Sequence, residues 1–397
     1  MKKYKNSGLI YAGLFTFLFI GPGTTGCGQK PAIPTGASNG LALTPPMGWD
    51  SWNKFERGIS EDLVHQIADA MVSTGMKDAG YEYVNLDDCW AQLKRRDGHL
   101  QINPVLFPHG LKPLGDYIHS KGLKFGIYSC RGNFTCQKCS PGSHGFEIID
   151  AEDFASWGVD YLKYDNCNPA FLTDQKGDYE QMKEALLASR RPIVFNICAW
   201  GFKDWMPYTG NLWRTTGDIR DKWPAVLDII DTNEQWAKYA QPGGWNDPDM
   251  LEIGNGGMTD NEYRSHFSMW AMMAAPLITG NDLREMSKST MEILLNKEVI
   301  AVDQDPLGVQ GTEVWDNAAG LKAYSKKLTG SNNWAVAFLN RSNLSASVTV
   351  KWTDIGIPFI PTKVRDLWTH EYQKTTGNFY KAFVEPHGTS MLKIGTN

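Results

Sequence analysis

Surplus positive charge is missing from this chain: 39 Lys and Arg stand against 44 Asp and Glu, a net charge of −5. With no basic stripe to follow a phosphate backbone, nucleic acid is a poor partner. Histidine is scarce at eight residues, and none lies at ligand spacing from the cysteines. Cys136-Gln-Lys-Cys139, with Cys130 nearby, therefore has neither the matching second pair nor the histidine that a zinc site needs. The apolar run Leu9–Ile20 is too short to make a membrane span.

What that run can be is an export signal, because Lys2, Lys3 and Lys5 precede it. It ends at Thr24-Thr25-Gly26-Cys27, which resembles a bacterial lipobox with a small residue before the cysteine, although Thr24 is not the usual Leu. Residues 1–26 are therefore expected to be a signal peptide and Cys27 a lipidated first residue. The mature chain would be periplasmic or membrane-anchored, less expectedly freely secreted. Residues 27–40 are rich in Pro, Gly and Ser, the composition of a tether. Export makes disulfides plausible among Cys89, Cys130, Cys136, Cys139, Cys167 and Cys198, but spacing does not fix their connectivity.

From residue 41 to 308, strand-like runs alternate eight times with stretches of helical apolar spacing, which predicts a (β/α)8 barrel. The expected strands are Pro46–Trp49, Tyr83–Asp87, Lys124–Tyr128, Tyr161–Tyr164, Pro192–Ile197, Leu212–Thr215, Gly244–Trp245 and Ala275–Ile278. Helical periodicity predicts, among others, Pro224–Tyr239, Asp260–Met273 and Ser289–Asp303. From 309 to 397 the texture changes to short alternating strands, an antiparallel β-domain. Fifteen Trp, fifteen Tyr and seventeen Phe are a heavy aromatic load. Core packing accounts for most of it, and stacking on apolar sugar faces is a use for the rest.

Tyr161-Leu162-Lys163-Tyr164-Asp165 reads as a buried strand that stops at an acid, where a barrel opens its site. Lys163 and Asp165 leave the strand on one face, so the ammonium is expected to keep that carboxylate charged for nucleophilic attack. A buried structural Lys–Asp pair would read the same way. Further polar groups follow the other strands: Asp50-Ser51-Trp52, Asp87-Asp88-Cys89-Trp90, Tyr128, Trp213-Arg214 through Asp218, and Trp245 through Met250. Carboxylates and tryptophans from several strands, gathered at one mouth, describe a site for a sugar with vicinal hydroxyls. A metal-dependent barrel hydrolase would instead use Asp87, Asp88, Asp247 and Asp249 as oxygen ligands. A sugar-binding protein without catalysis would keep the aromatic wall but would not need two acids on separate strands.

Met47-Gly48-Trp49, Leu86 through Trp90, Lys163-Tyr164-Asp165, Trp213–Trp223 and Gly243–Leu251 together resemble glycoside hydrolase family 27, the α-galactosidases. The resemblance implies a retaining glycosidase with a C-terminal antiparallel β-domain and no metal or other cofactor. Carried over by position, Asp165 falls on the nucleophile and Asp218 on the acid/base. Trp52, Asp87, Asp88, Tyr128, Cys136, Lys163, Cys198, Trp200, Arg214, Asp249 and Met250 fall on sugar-contacting positions. Cys136 and Cys167 match the family's disulfide beside the pocket.

In such a site two carboxylates about 5–5.5 Å apart share the work: one forms a glycosyl ester and the other protonates the leaving oxygen. Asp218 must hold a proton until the bond breaks, and the charge of Asp165 is expected to raise its pKa. Two departures from the family stand out. Cys89 lacks the usual partner after Phe55, where Glu56-Arg57-Gly58 stands, and is expected to be a free thiol. Ala199 replaces a Glu or Gln near the sugar's 2-position, either leaving room for an acetamido group or packing away from the sugar. Galactose remains the expected sugar, since Asp87 and Asp88 suit a 4-hydroxyl and a 6-hydroxymethyl, with N-acetylgalactosamine or β-L-arabinopyranose as alternatives.

Overall fold

A computed structural model describes residues 39–374 and 377–396. The expected signal, Cys27 and most of the expected tether lie outside the described residues. Eight short strands form the core sheet: β1 (Met47–Asp50), β2 (Tyr83–Leu86), β3 (Lys124–Cys130), β4 (Tyr161–Asp165), β5 (Val194–Cys198), β6 (Leu212–Arg214), β7 (Trp245–Asp247) and β8 (Leu277–Thr279). They pair in parallel in sequence order, and β8 returns to pair with β1. The last seam closes just beyond β7, where the Leu251 amide donates to Ile278 O at 2.8 Å and Leu251 O accepts from the Gly280 amide at 2.9 Å. The fold class is therefore the expected (β/α)8 barrel. Strands buried on both faces read as apolar runs, which is why all eight were legible. The structure moves their ends by at most two residues.

Among the described residues ten α-helices surround the sheet: α1 (Trp52–Phe55), α2 (Glu61–Ser73), α3 (Met76–Ala79), α4 (Leu111–Ser120), α5 (Glu147–Trp157), α6 (Gln175–Ala188), α7 (Trp223–Glu234), α8 (Asp260–Met273), α9 (Lys288–Leu294) and α10 (Lys297–Asp303). Their starts follow local chemistry. Ser60 caps α2 by accepting from the Leu63 amide, and Glu61 and Asp62 in the first turn face the positive end of the helix dipole. A reciprocal Thr259–Glu262 capping box opens α8. The single helix expected over Ser289–Asp303 is two, because the Asn296 side chain accepts from the amides of Glu298 and Val299 and starts a new helix there. The helix expected over Pro224–Tyr239 ends at Glu234, and the Trp236 carbonyl is taken by the Asn246 side chain at 2.8 Å.

The remaining strands are β9 (Thr312–Asp316), β10 (Leu321–Lys327), β11 (Trp334–Asn340), β12 (Ala346–Lys351), β13 (Lys363–Asp366), β14 (Phe379–Val384) and β15 (Thr389–Gly395). They form a five-stranded antiparallel sheet, β13-β15-β11-β10-β9, and a β12–β14 pair. Leu321, Phe338, Trp352, Val364 and Leu392 fill the core of this domain. It packs on α8 and α10, where the buried Lys326 ammonium donates to Ala271 O at 2.9 Å and Trp368 donates to Ser268 Oγ at 3.0 Å.

Candidate active site

At the C-terminal ends of the barrel strands lies a cavity of about 140 Å³, small enough to suit one sugar ring. Trp52, Asp87, Asp88, Tyr128, Cys136, Lys163, Asp165, Cys198, Arg214, Asp218, Asp249 and Met250 all line it. Of the expected sugar contacts only Trp200 is not in the wall. It stands at the rim, 58 % exposed. Three lining residues escaped sequence reasoning: Asn53, Gln137 and Ile219. Each is the chain neighbour of a residue that did carry a signal, and adjacency was the only clue available.

Asp165 ends β4 with its carboxylate engaged on both oxygens. Tyr128 OH donates to Oδ2 at 2.9 Å, while the Trp200 indole and the Asn166 amide donate to Oδ1 at 2.9 and 2.7 Å. Burial, then the charge of Asp165, pushes the Tyr128 phenol well above its ordinary range, so it keeps the proton that it donates. The expected Lys163–Asp165 pair does not form. The Lys163 ammonium instead donates to Asp87 Oδ2 at 2.6 Å. Sharing a strand face puts both side chains in one cavity, but the four-carbon stem of lysine carries its charge inward to the end of β2. Burial works against that ammonium, yet Asp87 and Asp50 outweigh it and raise its pKa well above the usual value.

Beside Lys163, Asp87 Oδ1 accepts from the Asp88 amide at 2.8 Å. Asp88 Oδ1 accepts from the Cys89 amide at 2.6 Å and Oδ2 from the Gln137 amide at 2.9 Å. Under this floor Asp50 is pushed up to about 7, first by burial and then by the charge of Asp87.

Arg214 ties the opposite wall together. Its Nη1 lies 3.1 Å from Asp249 Oδ1 and its Nη2 3.0 Å from Asp218 Oδ1. Asp249, held at φ 84°, also accepts from the Ile219 amide at 2.8 Å and so pins the loop that carries Asp218. The expectation that Asp218 has a raised pKa is reversed. Burial acts to raise it, but Arg214, Lys163 and the hydrogen bond from Arg214 prevail, and its carboxyl sits below the ordinary range. Its side chain is 88 % exposed, so the cation rather than dehydration decides its charge.

Cys136 is bonded to Cys167, and its sulfur lies 3.1 Å from Asp165 Oδ2. Cys89 is not a free thiol: it is bonded to Cys139, fifty residues away in sequence. The four sulfurs are thus tied up in disulfides rather than free as thiolates. Cys130 and Cys198 are the free, buried cysteines among the described residues. Burial pushes Cys130 up to about 12 and Cys198 well above the thiol range, so neither offers a ready nucleophile. The oxygens that a metal-dependent hydrolase would have used are engaged too: Asp87 by Lys163, Asp249 by Arg214, and Asp247 by Asn196 at 2.9 Å. Ala199 lines none of this. It is 2 % exposed in the barrel core, while its neighbour Cys198 faces the cavity.

The family model described as Alpha galactosidase A matches residues 44–305. The chain belongs to that family, glycoside hydrolase family 27. A second model, Alpha galactosidase C-terminal beta sandwich domain, matches residues 318–394. The chain is 51 % identical over 362 residues to Alpha-galactosidase 2 of Arabidopsis thaliana, covering 90 % of this chain and 91 % of that one. Among solved structures it superposes on alpha-galactosidase I from Mortierella vinacea with a TM-score of 0.86 at 38 % identity, over 91 % of this chain and all of the other. The alpha-galactosidase of Saccharomyces cerevisiae, solved with raffinose, superposes with a TM-score of 0.84 at 29 % identity, over 90 % of this chain and 99 % of that one. The chain is accordingly a glycoside hydrolase of the α-galactosidase type.

Proposed function

We propose that the chain releases terminal α-linked D-galactose by double displacement, with Asp165 as nucleophile and Asp218 as acid and then base. The observation that carries this reading is a carboxylate at the end of β4, oriented by Tyr128, Trp200 and Asn166, that shares one small cavity with a second carboxylate on the loop after β6. Asp165 forms the glycosyl ester and the leaving oxygen departs with a proton from Asp218. Asp218 then takes a proton from water as the ester is cleaved. Asp87 and Asp88 accept from the 4- and 6-hydroxyls. Arg214 and Cys198 flank the 2-position.

The pairing of Arg214 with Asp218 bears on the acid step. An ionised Asp218 must gain a proton before it can donate one, and its exposure lets solvent supply it. A bound galactoside covers this carboxylate and draws Arg214 onto a sugar hydroxyl, and both changes raise the pKa of Asp218. Galactose is favoured over N-acetylgalactosamine because Ala199 opens no space in the cavity. It is favoured over a pentose because Asp88 has a hydroxymethyl to receive.

We also read the enzyme as exported and held to a membrane through a lipid on Cys27, and two disulfides suit an oxidising compartment. The substrate assay is a panel of nitrophenyl glycosides, on which turnover of the α-galactoside should far exceed that of the N-acetylgalactosaminide and the arabinoside. Proton NMR of the reaction should show α-galactose appearing first. β-Galactose appearing first would mean a single displacement by water and would remove Asp165 from the nucleophile's role.

A further inference from the structure

The loop after β3 is joined to the barrel at two covalent points, each beside a carboxylate of the cavity. Cys136 is bonded to Cys167, two residues beyond Asp165, and Cys139 to Cys89, the residue after Asp88. Between them Gln137 and Lys138 turn tightly: Lys138 takes a left-handed φ of 55°, and its amide donates to Thr135 O at 2.9 Å.

That turn lies on Asp88. The Gln137 amide donates to Oδ2 at 2.9 Å, the Cys89 amide to Oδ1 at 2.6 Å, and the Cys139 sulfur sits 3.2 Å from Oδ1. Asp87 is held by the Lys163 ammonium, but among the described residues no cation is bonded to Asp88. Its orientation comes from backbone amides, and burial raises its pKa despite them. Arg57 adds a link from outside, donating to Gln137 O at 3.3 Å and Oε1 at 2.8 Å.

We propose that the Cys89–Cys139 disulfide is the positioning element for Asp88. It holds the Cys136–Cys139 turn against that carboxylate and so sets the acceptor geometry for the sugar's hydroxyls, without touching the sugar itself. The proposal rests on the reading of Asp88 as a sugar ligand. Neither Cys89 nor Cys139 lines the cavity, so their effect on the sugar must pass through Asp88 and Gln137.

The test compares wild type, the double variant Cys89→Ala/Cys139→Ala, and Asp88→Asn on nitrophenyl α-galactoside, with galactose as a competitive inhibitor. The double variant should raise KM and the galactose inhibition constant together, by about tenfold, with kcat within about threefold of wild type. A disulfide that serves stability alone would lower the melting temperature and leave both constants in place, overturning the proposal. If Asp88→Asn leaves KM unchanged, the assignment of Asp88 to the sugar fails instead.

Should the double variant not fold, native enzyme is treated with dithiothreitol. The Cys89–Cys139 bond opens to two thiols as the reagent closes to its cyclic disulfide, and alkylation of the new thiols is mapped by mass spectrometry. KM should rise in step with alkylation of Cys89 and Cys139. Full alkylation of both with KM unchanged overturns the proposal.

Discussion

The guanidinium of Arg214, at the end of β6, lies 3.0 Å from the carboxylate of Asp218, four residues on in the loop that follows. This pair makes Asp218, the acid we propose, an anion at rest. Since kcat/KM reports the free enzyme, cleavage of a substrate with a poor leaving group should weaken as pH rises and Asp218 loses its proton. Arg214→Met removes the main opposition to burial, so the Asp218 pKa rises. The descending limb of kcat/KM for melibiose should move to higher pH, alongside a KM at least about tenfold larger from the lost sugar contact. A limb that stays in place would mean that another group controls it.

Asp165→Ala should abolish turnover while leaving the fold intact, because Tyr128 stays buried in the barrel and Trp200 is already at the exposed rim. Loss of a covalent nucleophile costs far more than about a hundredfold, and azide entering the vacated space should restore a slow reaction yielding β-galactosyl azide. Residual activity above about a hundredth of wild type, or no azide product, would place the nucleophile elsewhere.

Much of this site was legible because a parallel barrel makes one rule nearly sufficient: apolar strand, then polar mouth. Asp87, Asp88, Asp165, Arg214 and Asp249 were found by that rule and share a cavity. What it cannot supply is who meets whom. Lys163 on β4 and Asp87 just past β2 are separated by β3, and period-two alternation fixes a face but says nothing about a neighbour two strands away. The Cys89–Cys139 bond depends on how a loop folds back over fifty residues. The charge of Asp218 was within reach, since Arg214 stands four residues earlier. The nearer cation, not Asp165, sets the sign. In the helices, an Asn in a helical run was read through as periodicity, when its side chain competes for the backbone and breaks α9 from α10.

Glu252 offers a test of stability against pH. It is buried on the loop after β7, accepting from Asn53 at 2.7 Å and Asn255 at 2.5 Å, and burial followed by the charges of Asp221 and Asp249 pushes it up to about 7. A raised carboxyl pKa means that the folded chain keeps a proton that the unfolded chain has released. Its contribution to stability is therefore complete below the ordinary value of 4.5 and is lost as pH rises to about 7. Glu252→Gln carries no such proton, and Asn255 Oδ1, which has no partner among the described residues, can accept from the new amide once the Asn255 side chain is turned over. Thermal scans should show the variant melting about 2–4 °C above wild type at pH 7.5, with the gap closing toward pH 4.5. Parallel curves would show that Glu252 does not titrate in this window.

The assignment of Asp218 can be separated from that of Asp165 by the leaving group. If Asp218 gives its proton to the departing oxygen, its loss should be felt in proportion to how much that oxygen needs one. A dinitrophenolate leaves with little protonation, whereas the glucose of melibiose cannot leave as an alkoxide. Asp218→Ala should therefore lose nearly all activity on melibiose and keep much more on dinitrophenyl galactoside. Water still has to be activated by the same residue in the second step, so the galactosyl ester on Asp165 should accumulate and appear as a burst of dinitrophenolate, with the adduct detectable by intact-protein mass spectrometry. Azide, which needs no base, should shorten the life of that adduct. Equal losses on both substrates, with no burst, would mean that Asp218 positions the sugar and that the proton comes from another group.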